Sequence, residues 1–396
     1  MSKKLPLEGI KVLDLSRVLA LPFATMILSD LGAQVIKVER PKIGDETRHW
    51  GPPFLKTESA YFLCTNRNKK SITVDISKKE GQKIIYDLAS ICDVFVENYK
   101  VGELKKYSLD YKKIKKINPT IVYCSLTGYG QNGPKSNLPG YDFIMQGESG
   151  LMSITGSPKG PPMKVGVAIL DIVSGLYATI AILASLYKRQ KIKQSEYIDL
   201  ALYDCAVSSL ANVASNYLVS SKIPKRYGNA HPNIVPYQTF KAKDKYFNLA
   251  VGNDEQFQKL ASLLNTDALK QDKFKKNENR VRNRKELVKI LQEVFKTQNA
   301  QYWVDLFQSH NLPAGHINNL KEVFEDKQLL ARDMVKIINH PFGLLKIVGT
   351  PIKLSNSTIT EPKSPPLLGQ DTINVLKKLL HYNKSYIKHL KNQNVI

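Results

Sequence analysis

Gly9-Ile-Lys-Val-Leu-Asp-Leu-Ser16, a segment over 22–32, and Gln34-Val-Ile-Lys-Val-Glu39 form the stretch that decides the fold. The two outer segments are short apolar runs of strand length. The middle one has Pro near its start and Gly at its end, the punctuation of a helix. The pattern then recurs. Ser71-Ile-Thr-Val-Asp-Ile76 reads as a strand, followed by a helix over about 78–90. Asp93-Val-Phe-Val-Glu97 and Thr120-Ile-Val-Tyr-Cys-Ser125 read as strands with a helical segment between them. Helices over 141–150 and 171–189, a strand at 197–202 and a helix to about 220 complete the block. Repeated β–α units imply an α/β fold, a parallel sheet with helices on both faces. Ligands of such sheets sit at the carboxyl ends of the strands. Neither GxGxxG after the first strand nor GxxxxGK[ST] is present, which argues against the common phosphate loops.

At 396 residues, two globular units are expected. Residues 1–220 form the N-terminal part of the large domain, and the polar, turn-rich 221–233 reads as a linker. A small domain over 234–328 has a strand, Tyr246-Phe-Asn-Leu-Ala-Val251, and helices near 254–264, 284–297, 299–309 and 319–325. Residues 329–396 contain two strands and a final helix.

Composition narrows the class. Hydrophobic residues make up 42% and charged ones 23%, as in a soluble globular chain. The longest apolar stretch is broken by Asp171, Ser174 and Gly175, so no membrane span is expected. Met1-Ser-Lys-Lys-Leu-Pro-Leu-Glu-Gly-Ile10 leads straight into a strand pattern, and no signal or transit peptide is expected. Cys64, Cys92, Cys124 and Cys205 lack CxxC or Cys/His pairing, which argues against a metal site and suits a reducing cytoplasm. The net charge of +23 raises nucleic-acid binding. Only 10 of the 58 basic residues are Arg, however, and the lysines are spread along the chain. A solvated surface is expected, with no nucleic-acid partner.

One carboxylate stands out. Asp171, in Lys164-Val-Gly-Val-Ala-Ile-Leu-Asp-Ile-Val-Ser-Gly175, follows seven residues of which five are apolar and opens an apolar helix. Burying an unpaired carboxylate is costly and raises its pKa. Two readings are open: Asp171 caps the helix, or it is a partly desolvated nucleophile.

Further strings fall at strand ends and loops. They include Val38-Glu-Arg-Pro41, Asn66-Arg-Asn-Lys-Lys-Ser71, Val96-Glu-Asn-Tyr-Lys-Val-Gly102, Thr127-Gly-Tyr-Gly-Gln-Asn-Gly-Pro134, Gly140-Tyr-Asp142, Tyr227-Gly-Asn-Ala-His-Pro232 and Pro365-Pro-Leu-Leu-Gly369. In this order and spacing the chain resembles the family III coenzyme A transferases, the CaiB/BaiF family, over roughly residues 6–380. Lys164-Val-Gly-Val-Ala, Ile234-Val-Pro-Tyr-Gln and Asn283-Arg-Lys-Glu-Leu resemble the branch that uses succinyl-CoA with dicarboxylic acids such as glutarate or hydroxymethylglutarate.

The resemblance implies a large Rossmann-like domain, a smaller α+β domain and an interlocked homodimer. It implies acyl-CoA and a small carboxylic acid as substrates, with coenzyme A as substrate and no tightly bound cofactor. Asp171 would be the catalytic nucleophile, passing through an aspartyl anhydride and an aspartyl-CoA thioester. Coenzyme A would meet Arg40, Val74, Asp75, Ile76, Ser77, Asn98, Tyr99, Lys100, Lys106, Tyr141 and Asp142. Leu19, Ala20, Gly252 and Asn253 would lie at the acyl group. Arg48 and Arg17 are candidates by position for a distal carboxylate. The alternative within the family is a 2-methylacyl-CoA racemase, but Tyr141-Asp142 stands where that branch has His-Asp, leaving the acid–base pair incomplete.

Overall fold

The computed structural model describes residues 4–396. The chain groups into two compact units, one made of residues up to Leu151 with Val165–Ser220 and Gln328–Ile396, the other of Met152–Lys164 with Ser221–Lys327. Residues 152–164, which the sequence reading leaves in the large domain, and the 221–233 linker both group with the second unit.

In the first unit six strands form one sheet. They are β1 (Lys11–Asp14), β2 (Gln34–Glu39), β3 (Lys69–Thr73), β4 (Val94–Glu97), β5 (Val122–Thr127) and β6 (Glu196–Ala201). All neighbours are parallel and the order is β3-β2-β1-β4-β5-β6. Successive side chains of a strand point to opposite faces, and helices cover both. On one face Leu13, Ile36, Ile72 and Phe95 pack with Ile84, Ile85 and Leu88 of α2 (Lys79–Ile91). On the other, Val12, Val35, Val94 and Val122 pack with α1 (Ala20–Asp30) and α5 (Ile169–Lys191). Between α2 and α5 in the chain lie α3 (Tyr111–Ile117) and α4 (Asp142–Glu148).

By length and composition α5 is apolar enough to cross a membrane. Here it lies along α1, with Ala178 and Ile182 fully buried. Gly175 permits that approach, since a Cβ there would stand 2.5 Å from the Ala20 carbonyl oxygen. The opposite side of α5 leaves Leu176, Tyr177, Ile180 and Tyr187 exposed.

The second unit has a three-stranded antiparallel sheet of β7 (Tyr237–Lys241), β8 (Tyr246–Ala250) and β9 (Ala314–His316). Helices Asp254–Leu264, Arg284–Phe295 and Ala300–Ser309 close an aromatic core containing Phe240, Phe247, Phe295 and Phe307. The chain then returns to the first unit. There a hairpin, β10 (Val335–His340) and β11 (Gly343–Val348), precedes helices Thr372–Lys378 and Lys384–Asn392. Leu376, Leu390 and Val395 join the core beside α2, and the Asp75 N–H donates to the Val395 carbonyl at 2.7 Å.

Candidate active site

Chain connections leave β1 and β4 in opposite directions across the sheet, so a crevice opens beyond their carboxyl ends. A cavity lies there. Leu19 and Ala20 after β1, Asn98 to Lys100 after β4, Tyr141 and Asp171 all line it.

Asp171 occupies the first turn of α5. The helix begins two residues earlier than the apolar pattern suggested, its N-cap is Ala168, and no side chain of its own caps it. Instead the Leu170 N–H donates to Oδ1 of Asp142 at 2.8 Å, while Nε2 of Gln146 donates to Asp142 Oδ2 at 2.7 Å. The capping reading of Asp171 therefore fails; Asp142, reaching across from α4, does that work. Asp171 is only 9% exposed. Burial first, and the Asp142 carboxylate second, push its pKa up to about 7, and neither a hydrogen bond nor a cation opposes them among the described residues. A carboxyl group poised this way titrates where a catalyst needs it to.

Two neighbours went unnoticed in the sequence. Tyr61, in the short helix Ala60–Leu63, has its phenol pushed up to about 12 by burial and then by the Asp171 charge, so it keeps its proton within the field of that carboxyl. The start of α1 is the other. Leu19, its N-cap, makes no side-chain capping bond, and the third helical residue is Pro22. Among the described residues nothing accepts from the N–H groups of Ala20 and Leu21. Unpaired first-turn donors carry the positive end of the helix dipole.

A second, larger cavity is walled by Arg40, Val74, Asp75, Ile76 and Ser77, and shares Arg17, Glu46 and Tyr99 with the first. It holds about 360 Å³ against about 160 Å³, and only the larger reaches the range usual for a sizeable ligand. Together they form a path from β2 and β3 to Asp171. Arg17 stands at the join, with Nη1 2.6 Å from Oε1 of Glu46 and its guanidinium 4.7 Å from the centre of the Tyr99 ring.

The remaining residues named from sequence fall in different places. Lys100 and Lys106 are exposed, and Lys106 lines neither cavity. Tyr141 is 62% exposed and is no core aromatic. Asn98 directs its carboxamide at the Arg17 backbone. Gly252 and Asn253 belong to the second unit, where Asn253 Oδ1 accepts the Gln256 N–H at 2.8 Å and the Gly252 N–H donates to Gln256 Oε1 at 2.7 Å. Arg48 is not free for a ligand. Its guanidinium is buried against Glu39 and Glu58, both at 2.7 Å, and donates to the Pro366 carbonyl. All four cysteines are free thiols, and no group of His, Cys, Asp and Glu side chains among the described residues could hold a metal ion.

Comparison with known proteins agrees along nearly the whole chain. The sequence model described as CoA-transferase family III matches residues 7–372. The succinyl-CoA:glutarate CoA-transferase of Mus musculus is 50% identical over 393 residues, covering 99% of this chain and 90% of the relative. The succinate–glutarate CoA-transferase of Agrobacterium fabrum is 42% identical and covers 96% of each. A crystal structure of a CaiB/BaiF family protein from Brucella suis superposes with a TM-score of 0.84 at 44% identity, over 96% of this chain and all of that one. Sequence and fold thus agree that the chain belongs to CoA-transferase family III.

Proposed function

We propose that this protein moves coenzyme A from succinyl-CoA to glutarate, with Asp171 as the group that carries the acyl exchange. The observation that carries this reading is the Asp171 carboxyl itself: nearly buried, unpaired, titrating at about 7, and sharing a cavity with Ala20 at the start of α1. The activity of the mouse and Agrobacterium relatives supports the choice of donor and acceptor.

The Asp171 carboxylate attacks the thioester carbonyl of succinyl-CoA. The tetrahedral oxyanion is stabilised by the N–H groups of Ala20 and Leu21, and collapses by breaking the C–S bond. CoA thiolate leaves and a mixed aspartyl–succinyl anhydride remains. The thiolate next attacks the aspartyl carbonyl, breaking the anhydride C–O bond and releasing succinate, and an aspartyl-CoA thioester results. Glutarate then attacks that thioester and expels the thiolate, and the thiolate attacks the glutaryl carbonyl of the new anhydride. Glutaryl-CoA departs and Asp171 is restored, with no net proton taken up. An anhydride is itself an acylating agent, so the energy of the thioester is retained, which a serine ester would not achieve. Each intermediate hydrolyses in water, and the apolar wall around Asp171 opposes that.

The nucleotide of coenzyme A, with about four negative charges, fits the larger cavity at Arg40 and Val74 to Ser77, its pantetheine arm running past Tyr99. Arg17, which also pairs with Glu46, and exposed Lys100 are the cations in the smaller cavity for an anionic group of the substrate. An interlocked homodimer in the cytoplasm completes the reading; the exposed apolar side of α5 and the free thiols support it. A racemase is disfavoured, because both oxygens of Asp142 are engaged.

The test is to give the protein succinyl-CoA labelled in the CoA moiety, with and without glutarate. Glutaryl-CoA should form, and mass spectrometry of the quenched enzyme should find CoA on Asp171. Transfer without any adduct on that residue would refute the assignment of the nucleophile.

A further inference from the structure

Val18 holds φ at 70°, in the left-handed region. For a β-branched residue this is strained, and such strain persists only where the surroundings over-determine it. Three hydrogen bonds do so. The Arg17 N–H donates to Oδ1 of Asn98 at 2.9 Å, and Nδ2 of Asn98 donates back to the Arg17 carbonyl at 2.7 Å. The Val18 N–H donates to Oδ1 of Asp45 at 3.3 Å. Asp45 is itself fixed by Lys37 at 2.9 Å and by the Thr47 N–H and hydroxyl. Asn98 is the first residue beyond β4, and its turn is tied down where Glu97 Oε2 accepts the Tyr99 N–H at 2.8 Å.

The strained turn has one evident use. It reverses the chain between the end of β1 and the start of α1 within a few residues. That brings Leu19 and Ala20 into the wall of the Asp171 cavity, at the start of α1 where the Ala20 and Leu21 N–H groups are unpaired. An amide pair serves an oxyanion only if it is already in place when charge develops. The oxygen and the nitrogen of the Asn98 side chain each bond the Arg17 backbone. Its contact is therefore with the protein across the crevice.

We propose that Asn98 is a positioning residue for the transfer reaction: its carboxamide clamps the Arg17–Leu19 turn and so fixes the start of α1 against Asp171. The proposal rests on the CoA-transferase reading above. It differs from a direct Asn98–CoA contact in what its loss does. Removing a ligand contact raises KM and the Kd for CoA with kcat unchanged, whereas loosening the oxyanion donors lowers kcat.

The experiment compares wild type, Asn98→Ala and the double variant Asn98→Ala/Val18→Gly. Glycine adopts φ of 70° without strain, so the turn needs the clamp less when Val18 is gone. In Asn98→Ala, kcat should fall at least about 30-fold, as for a lost oxyanion donor, while KM for succinyl-CoA stays within about threefold. The double variant should regain at least about fivefold of the lost kcat. If Asn98→Ala does not fold, a folded and active double variant supports the proposal on its own. The proposal is overturned by an Asn98→Ala enzyme with kcat within about threefold of wild type, by a loss confined to KM, or by a double variant that fails to fold or is no better than the single one. Wild-type protein that transfers no CoA from any thioester would instead overturn the transferase reading, and the positioning role with it.

Discussion

Near neutrality about half of the Asp171 side chains carry a proton, since the group titrates at about 7. Only the carboxylate is a nucleophile, so kcat/KM should rise with pH through 7 and level off above about pH 8. A profile flat between pH 5 and 8 would contradict the environment described. Asp142→Asn retains the oxygen that caps α5 but removes the nearby charge, and the acid limb should then shift to lower pH. Burial, the larger cause, remains, so the shift is partial. Stability follows the same group. The folded state holds this proton more tightly than the unfolded chain, where an aspartate ionises near 3.8, so the group's favourable share is full below that pH and is lost as pH rises through 7. Asp171→Asn should accordingly stabilise the fold by an amount that grows between those values, with a ceiling of about 4 kcal/mol. Thermal unfolding of both proteins at pH 5 and pH 8 measures it. The same substitution should abolish transfer, which separates a functional strain from a structural need.

The contact between α1 and α5 sets the geometry of the cavity. Gly175→Ala places a Cβ 2.5 Å from the Ala20 carbonyl and 3.3 Å from Cδ1 of Phe23, so α1 must move. A loss of about 1–3 kcal/mol in urea unfolding is expected, together with a lower kcat. Unchanged activity would mean that α1 has no part in the chemistry. At this scale the sequence is readable where a pattern is local. The βα units announce themselves through apolar runs, Pro22 and Gly32, and Asp171 through being an acid among apolar neighbours. It is unreadable where the cause is distant. The start of α5 is set by Asp142, 28 residues upstream, and the turn at Val18 by Asn98, 81 residues downstream from Arg17. No periodicity brings Tyr61 to Asp171. The sequence reading also begins the second unit's sheet at Tyr246 and passes over Tyr237–Lys241, a strand with only Phe240 fully buried and hence little alternation to see.

For the molecule as a whole, the exposed side of α5 is the feature that a lone chain leaves open. Leu176, Ile180 and Tyr187 in water are unusual for the central helix of a unit. Light scattering should give twice the 44.6 kDa chain mass, unchanged on dilution. A monomeric active enzyme would sink the dimer. The charge of +23 belongs to this scale too, spread over the surface and mostly lysine. The return of the chain to its first sheet carries another consequence. Leu376, Leu390 and Val395 complete the cover over Ile84, Ile85 and Leu88. On the ribosome that cover stays incomplete until residues 375–395 clear the exit tunnel, although 221–327 has emerged by then. Stalled ribosomes test the consequence: chains halted before residue 372 should bind chaperones and resist compaction, and chains released after residue 395 should not.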